Sequence, residues 1–206
     1  NIQTGPVNGG RSLSVMENRK SVRESGPEPM NLETLGEFLY RVARIKEVKE
    51  SSLQDVLSRP YPAGGSINEL EFYIAVRRVA NLEPLFYHYD GLAHVLVALE
   101  GTEKVADKIV RRASAAMGMA EGPFPDMIIV ITTRMPRFAW KYQGMAYRTT
   151  LTNAGVVTEV LYLVAADMGL APCGTGTGDS RLFAEATGID PWTETSIGEF
   201  VLGSAP

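Results

Sequence analysis

Cysteine and histidine are nearly missing from this chain of 206 residues, which has one cysteine, Cys173, and two histidines, His88 and His94. A lone thiol closes no internal disulfide and builds no Cys-rich zinc site. Two imidazoles are too few for a protein-built transition-metal centre, so no metal is expected. An excess of positive charge is missing as well. The 20 Lys and Arg stand against 24 Asp and Glu, a formal net charge of -4, and no basic face suited to a phosphodiester backbone is expected. No contiguous apolar run approaches the roughly 20 residues that span a bilayer, and the N-terminus has no signal-peptide pattern. Nucleic acid and membrane are therefore not expected as partners, and the setting expected is cytoplasmic. What is present, 45% hydrophobic and 21% charged residues, suffices for one buried core. A single domain is expected over 1–206, with 1–13 as an extended entry segment.

The apolar spacing places the elements. Within a Gly-, Pro- and Ser-rich stretch over 1–30, Ser14–Arg23 reads as a short helix. Asn31 is placed as the N-cap of a helix whose apolar positions are Leu32, Leu35, Phe38, Leu39, Val42 and Ile45. A Pro/Gly loop over 58–70 leads into a strand at Glu71–Val79. Phe86–Tyr89 and His94–Leu99 read as a hairpin turning at Asp90-Gly91. A helix is expected over 102–118, a buried strand over Met127–Thr133, and the longest helix over 149–168. There Leu151, Ala154, Val157, Leu161, Val164 and Met168 share one face, and Gly169 ends the helix. A short helix at Ser180–Thr187 and a strand at Glu199–Leu202 complete the order. Helices and strands mix without strict βαβ alternation, which predicts an α+β fold.

Four segments carry chemistry. Arg19-Lys20-Ser21-Val22-Arg23 puts three cations and a hydroxyl within five residues, enough to surround one phosphate with charge-assisted hydrogen bonds; alone, such a cluster is more often a solvated basic patch. Pro62-Ala63-Gly64-Gly65 opens a strand with a loop whose backbone can approach a flat ring without hindrance from a β-carbon. Gly174-Thr175-Gly176 lies in a Gly-rich turn after a helix, where neither a dinucleotide fingerprint nor a P-loop fits. Its neighbour Cys173 has no base nearby and reads as a small buried hydrophobe. Lys141-Tyr142, with Tyr147-Arg148 close behind, offers a general base and its partner where burial depresses the ammonium's pKa; alone, the pair reads as a surface Lys and a half-buried Tyr.

In their order and spacing these segments resemble the nitroreductase superfamily, and within it the SagB-type branch. That branch includes the azoline oxidases of microcin- and cyanobactin-like pathways and the oxidase domains of nonribosomal peptide synthetases. The resemblance runs from Arg19/Ser21/Arg23 through Pro62–Gly65, Glu71-Phe72-Tyr73 and Tyr87-His88-Tyr89. It continues through Lys141-Tyr142 and Tyr147-Arg148 to Gly169-Leu170-Ala171-Pro172-Cys173-Gly174. It implies an α+β fold with a mostly antiparallel central sheet flanked by helices, and FMN at a homodimer interface. Arg19, Ser21 and Arg23, with Lys20, would hold the phosphate and ribityl chain. Pro62, Ala63, Gly64 and Gly65 would line the isoalloxazine, and Gly174, Thr175 and Gly176 its other side. Lys141 and Tyr142 would be the catalytic base and its partner.

The implied activity is FMN-dependent oxidation of thiazoline or oxazoline rings to azoles in a peptide or carrier-bound substrate, in a larger synthetase or cyclodehydratase complex. An NAD(P)H-dependent nitro- or quinone reductase, or an FMN-free non-catalytic paralogue, are the rival expectations. Two departures stand out. The loop serine of the family is Ala63 here, with Ser66 or Asn68 as substitutes. The helix motif Gly-His-x-x-Gln-Asn is replaced by Gly155-Val156-Val157-Thr158-Glu159-Val160.

Overall fold

The computed structural model describes residues 10–205. Helix α1 spans Gly10–Asn18 rather than Ser14–Arg23, so residues 10–13 are helical instead of extended; residues 1–9 of the expected entry segment lie outside the described residues. The chain leaves α1 because Asn18 turns its amide back onto the Ser14 carbonyl at 2.8 Å. Beyond it the Val22 N–H bonds the Pro172 carbonyl at 2.7 Å. Strand β1 (Met30–Asn31) runs into α2 (Leu32–Ala43), where Asn31 Oδ1 accepts the Thr34 N–H at 2.7 Å, the expected N-cap. A small hairpin of β2 (Glu47–Lys49) and β3 (Val56–Ser58) follows.

Next come β4 (Leu70–Val76), β5 (Val79–Ala80), β6 (Phe86–Asp90), β7 (Val95–Leu99), α3 (Glu103–Ala116) and β8 (Met127–Thr133). The described chain ends with α4 (Met135–Tyr142), α5 (Ala146–Asp167), β9 (Ala171–Thr175), α6 (Ser180–Thr187) and β10 (Thr195–Gly203). Six strands form one sheet in the order β7-β6-β4-β8-β10-β9, every pairing antiparallel. The fold is thus α+β with an antiparallel sheet flanked by helices, as the resemblance implies.

Strand alternation builds a core on each face of this sheet. Phe72, Ile74, Ile129, Ile131, Phe200 and Leu202 point to the side covered by α2 and α5. Tyr73, Ala75, Ile128, Val130 and Val201 point to the side covered by α3 and α6. Both faces of β4 and β8 are buried, which is why Met127–Thr133 is apolar without alternation.

The short strands β1, β2, β3 and β5 are not among the expected elements. The strand expected over Glu71–Val79 ends at Val76, and β10 starts at Thr195 rather than Glu199. α4 and β9 differ for local reasons. α4 has only two turns with Pro136 in the first, too short for a periodic signal. β9 reads as a turn because Ala-Pro-Cys-Gly-Thr is poor in strand formers. It forms by pairing with β10 from Glu199↔Thr175 to Gly203↔Ala171, at the sheet edge where Pro172 is tolerated. The helical run Met135–Asp167 also reaches a mean hydropathy of 1.2 over 18 residues, the range of a bilayer-spanning helix. Counting contiguous apolar residues misses it, because Thr149, Thr150, Thr152 and Asn153 interrupt the run. Here Val157, Leu161 and Ala165 of α5 pack on the sheet, while Met145, Tyr147 and Leu151 are left exposed.

Asp126 ties the ends of this arrangement together. Its carboxylate is 0% exposed and accepts from Arg78 Nε at 2.8 Å, Ser204 N–H at 2.8 Å and Met30 N–H at 3.3 Å. Hydrogen bonds to a charged group are each worth about 1.5–3 kcal/mol, and Arg78 keeps its bonds to the Pro27 and Gly26 carbonyls when the carboxylate is lost. Asp126→Ala is expected to cost about 3 kcal/mol, read as a lower midpoint in urea unfolding at unchanged slope.

Candidate functional site

The loop between β3 and β4 and the start of α4 are fastened to one carboxylate. Glu71, buried at the second position of β4, receives Arg134 Nη2, with Arg59 Nη2 at 3.9 Å and His88 Nε2 at 3.5 Å. Burial by itself pushes this carboxyl up; the His88 hydrogen bond and the charges of Arg134 and Arg59 outweigh it and hold the group below the ordinary carboxylate range. Arg59 stands where the loop leaves β3, and Arg134 immediately precedes α4. One anion therefore fixes the approach of the loop to the helix. The neighbouring carboxyl of Glu194 accepts from Thr132, and burial pushes it upward instead.

On that base the loop meets the Lys-Tyr pair. Gly65 adopts φ 57°, the left-handed region that favours glycine. A β-carbon built there would lie 2.8 Å from Tyr142 Oη and 3.0 Å from Lys141 Nζ. Tyr142 stacks on Phe138 with ring centroids 4.4 Å apart. Gly64 donates its N–H to Asn153 Oδ1 of α5 at 3.2 Å. The structure thus brings Gly64, Gly65, Lys141 and Tyr142 together, with Lys141 exposed. Asn68 is turned elsewhere: its buried amide donates to the Leu57 and Ser66 carbonyls at 2.6 and 3.1 Å. Pro62 and Ala63, with Ser66 and Asn68, border a cavity of about 370 Å³ between the loop and the β2–β3 hairpin, whose lining includes neither Lys141 nor Tyr142.

The second constellation lies at the other end of α5. Tyr162 Oη bonds Ser21 Oγ at 2.8 Å and accepts the Gly174 N–H at 2.7 Å, while the Arg19 guanidinium lies over its ring at 4.9 Å. A β-carbon on Gly174 would come within 3.1 Å of Thr158 Cγ2. Thr175 Oγ1 meets Thr177 Oγ1 at 2.8 Å, and Thr177 donates to the buried Glu199, which Arg112 also engages at 3.1 Å. Lys20 borders a different cavity, with Val22, Gly169 and Leu170. Among the described residues, no carboxylate lies within ion-pair distance of Arg19, Lys20, Arg23 or Lys141. Of the three cations in the segment, Arg19 is the one the structure sets beside the Ser21–Tyr162 pair. Asn153 and Tyr162 are nine residues apart on one helix, so the two constellations lie roughly 13 Å apart along α5.

The model of the nitroreductase family matches residues 16–204. The chain belongs to the nitroreductase family. A protein of Methanocaldococcus jannaschii named as a nitroreductase is 26% identical over 162 residues, 79% of this chain and 76% of its own length. Among solved structures, a chain from Ralstonia eutropha titled as a nitroreductase superposes with a TM-score of 0.69 at 20% identity, over 99% of this chain and 87% of that one. A chain of the E. coli microcin synthetase McbBCD complex, solved with truncated pro-MccB17 bound, also gives 0.69, at 18% identity over 100% of this chain and 79% of that one. The chain is accordingly a nitroreductase-family oxidoreductase, and at these identities the structural likenesses speak for its fold.

For this family member, the residues that assemble the two constellations carry almost no local sequence signal of their own. Glu69, Asn153, Arg59, Arg134 and Tyr162 were passed over. Of these only Tyr162 left a trace, a hydroxyl set among the aliphatics of α5. Its substitution is informative. Tyr162→Phe keeps the ring under Arg19 but removes the atom shared by Ser21 and Gly174, at a cost of about 1–3 kcal/mol. Trypsin is expected to cut at Arg19, Lys20 and Arg23 several-fold faster in this variant, and unchanged digestion would show that the hydroxyl does not hold the segment.

Proposed function

We propose that this nitroreductase-family oxidoreductase binds FMN between the Arg19–Arg23 segment and the Pro62–Gly65 loop. In the manner of the SagB-type branch, it would oxidise thiazoline or oxazoline rings of a peptide or carrier-bound substrate. The observation that carries the reading is the meeting of Gly65 with Lys141 Nζ and Tyr142 Oη. Arg19 beside Ser21 on Tyr162, with Arg23 two residues on from Ser21 in the chain and neither arginine in an ion pair among the described residues, suits a phosphate. The absence of a β-carbon at 64, 65 and 174 lets Thr149, Lys141, Tyr142 and Thr158 pack directly on the backbone there, which brings the Lys-Tyr pair to the loop. These features weigh against the FMN-free paralogue.

Turning an azoline into an azole removes two hydrogens from adjacent ring carbons, one as a proton and one with both electrons. FMN, when bound, supplies the two-electron acceptor. Lys141 Nζ takes the proton from the ring carbon next to the carbonyl. Tyr142 Oη orients the ring or relays that proton, held in place by Phe138 beneath it. The exposed Met145, Tyr147 and Leu151 at the N-terminal end of α5 support a homodimer. A two-fold axis pairing α5 with its partner would carry the Arg19–Arg23 segment of one protomer to the loop of the other. The likeness to a microcin synthetase chain supports a setting within a larger synthetase or cyclodehydratase complex.

A second reading, NAD(P)H-dependent reduction of nitro compounds or quinones, is favoured by the name of the M. jannaschii relative and makes no use of Lys141. The two readings part at Lys141→Ala. Azole formation, followed by mass spectrometry as the loss of two hydrogens at matched flavin content, is expected to fall by about 10²–10⁴. Reduction of the flavin by artificial donors should stay at the wild-type rate. Equal azole formation in mutant and wild type would favour the reductase.

A further inference from the structure

Glu69, the residue before β4, is 0% exposed and takes no part in the chemistry above. Its Oε1 accepts from Asn153 Nδ2 at 2.8 Å, and Asn153 Oδ1 in turn accepts the Gly64 N–H at 3.2 Å. An amide has one donating and one accepting end. Because Glu69 claims the donating end of Asn153, the oxygen faces Gly64. A flipped amide would set N–H against N–H. The other Glu69 oxygen, Oε2, is buried, and the buried Thr150 hydroxyl lies beside the carboxyl and opposes the effect of burial on it. Burial pushes the Glu69 carboxyl upward, against the opposing effect of the Asn153 hydrogen bond. On its remaining side Gly64 is closed in: a β-carbon there would lie 3.0 Å from Thr149 Cγ2 and 3.1 Å from Phe138 Cζ. The peptide of Gly64 is therefore set by one side-chain hydrogen bond and two contacts. The next residue, Gly65, makes the left-handed turn against Lys141 and Tyr142.

We propose that Glu69 is a positioning residue which, acting through Asn153, fixes the Gly64 peptide and with it the Gly65 turn on which Lys141 and Tyr142 rest. The bearing of this on flavin rests on the FMN reading above; the loop geometry itself does not. Glu69→Gln retains an oxygen for Asn153, whereas Glu69→Met keeps the length and removes the acceptor. Asn153→Leu removes the link while leaving β4 intact.

Hydrogen exchange of the 60–68 segment, measured without flavin and well below the melting temperature of every variant, reads the device directly. Exchange in that segment is expected to rise roughly five- to tenfold in Glu69→Met and Asn153→Leu, and to stay within about twofold of wild type in Glu69→Gln. Exchange in β8 should not move. FMN titration by flavin fluorescence gives the second arm, with affinity weakened about tenfold in the same two variants and restored in Glu69→Gln. Wild-type protection in Glu69→Met, failure of Glu69→Gln to rescue, or an exchange increase spread evenly over β4 and β8 would overturn the proposal. The expected exchange pattern in a protein that takes up no FMN would uphold the positioning role and sink the flavin reading instead. Should Glu69→Met fail to fold, Asn153→Leu decides alone.

Discussion

Glu71 lies under Arg59 and Arg134, and the rest of the site depends on that contact. Removing charge from water is costly, and a buried ion pair seldom repays it as net stability. What the contact supplies here is position. It joins the residue that launches the loop to the residue that launches α4, so the Gly64-Gly65 turn and the Lys141-Tyr142 pair arrive at the same place. Glu69, the residue before β4, holds the far side of the turn through Asn153 of α5. The two carboxyls are driven in opposite directions. Glu71 is held below the ordinary range by His88 and two arginines, while burial pushes Glu69 above it against the opposing Asn153 hydrogen bond and the charge of Arg137.

How legible this was in the sequence depended on the range of the interaction. The N-cap at Asn31, the long helix through Val157 and Leu161, and the buried strand at Met127–Thr133 follow from local spacing and stand where the spacing puts them. α4 was invisible because two turns with a proline in the first carry no period. β9 was invisible because a strand with proline and glycine exists only through its partner, β10. The same distinction runs through the site. Lys141 and Tyr142 are neighbours in sequence and readable as a pair, whereas the glycine they touch comes from a distant loop. Tyr162 joins Ser21 to Gly174, and no sequence motif marks a hydroxyl serving two remote segments. Asn68 is the opposite case: a polar loop residue fit to hold a ligand, but committed to the Leu57 and Ser66 carbonyls.

Membership of the nitroreductase family follows from the match over residues 16–204 and accords with the fold. The finer reading rests on two constellations at the ends of α5, Arg19 beside the Ser21–Tyr162 pair and a glycine turn against a Lys-Tyr pair. The FMN reading proposed above assigns the phosphate to the first and the flat ring to the second. The measurement that tests this most directly is titration of purified protein with FMN, followed by flavin fluorescence and visible absorbance, with Arg19→Ala/Arg23→Ala alongside. The account predicts uptake of one flavin per chain by the wild type, with quenched fluorescence, and at least a tenfold loss of affinity in the double variant, in keeping with about 1.5–3 kcal/mol for each charge-assisted bond removed. A wild-type protein that stays colourless, or a double variant that binds as tightly, would contradict it.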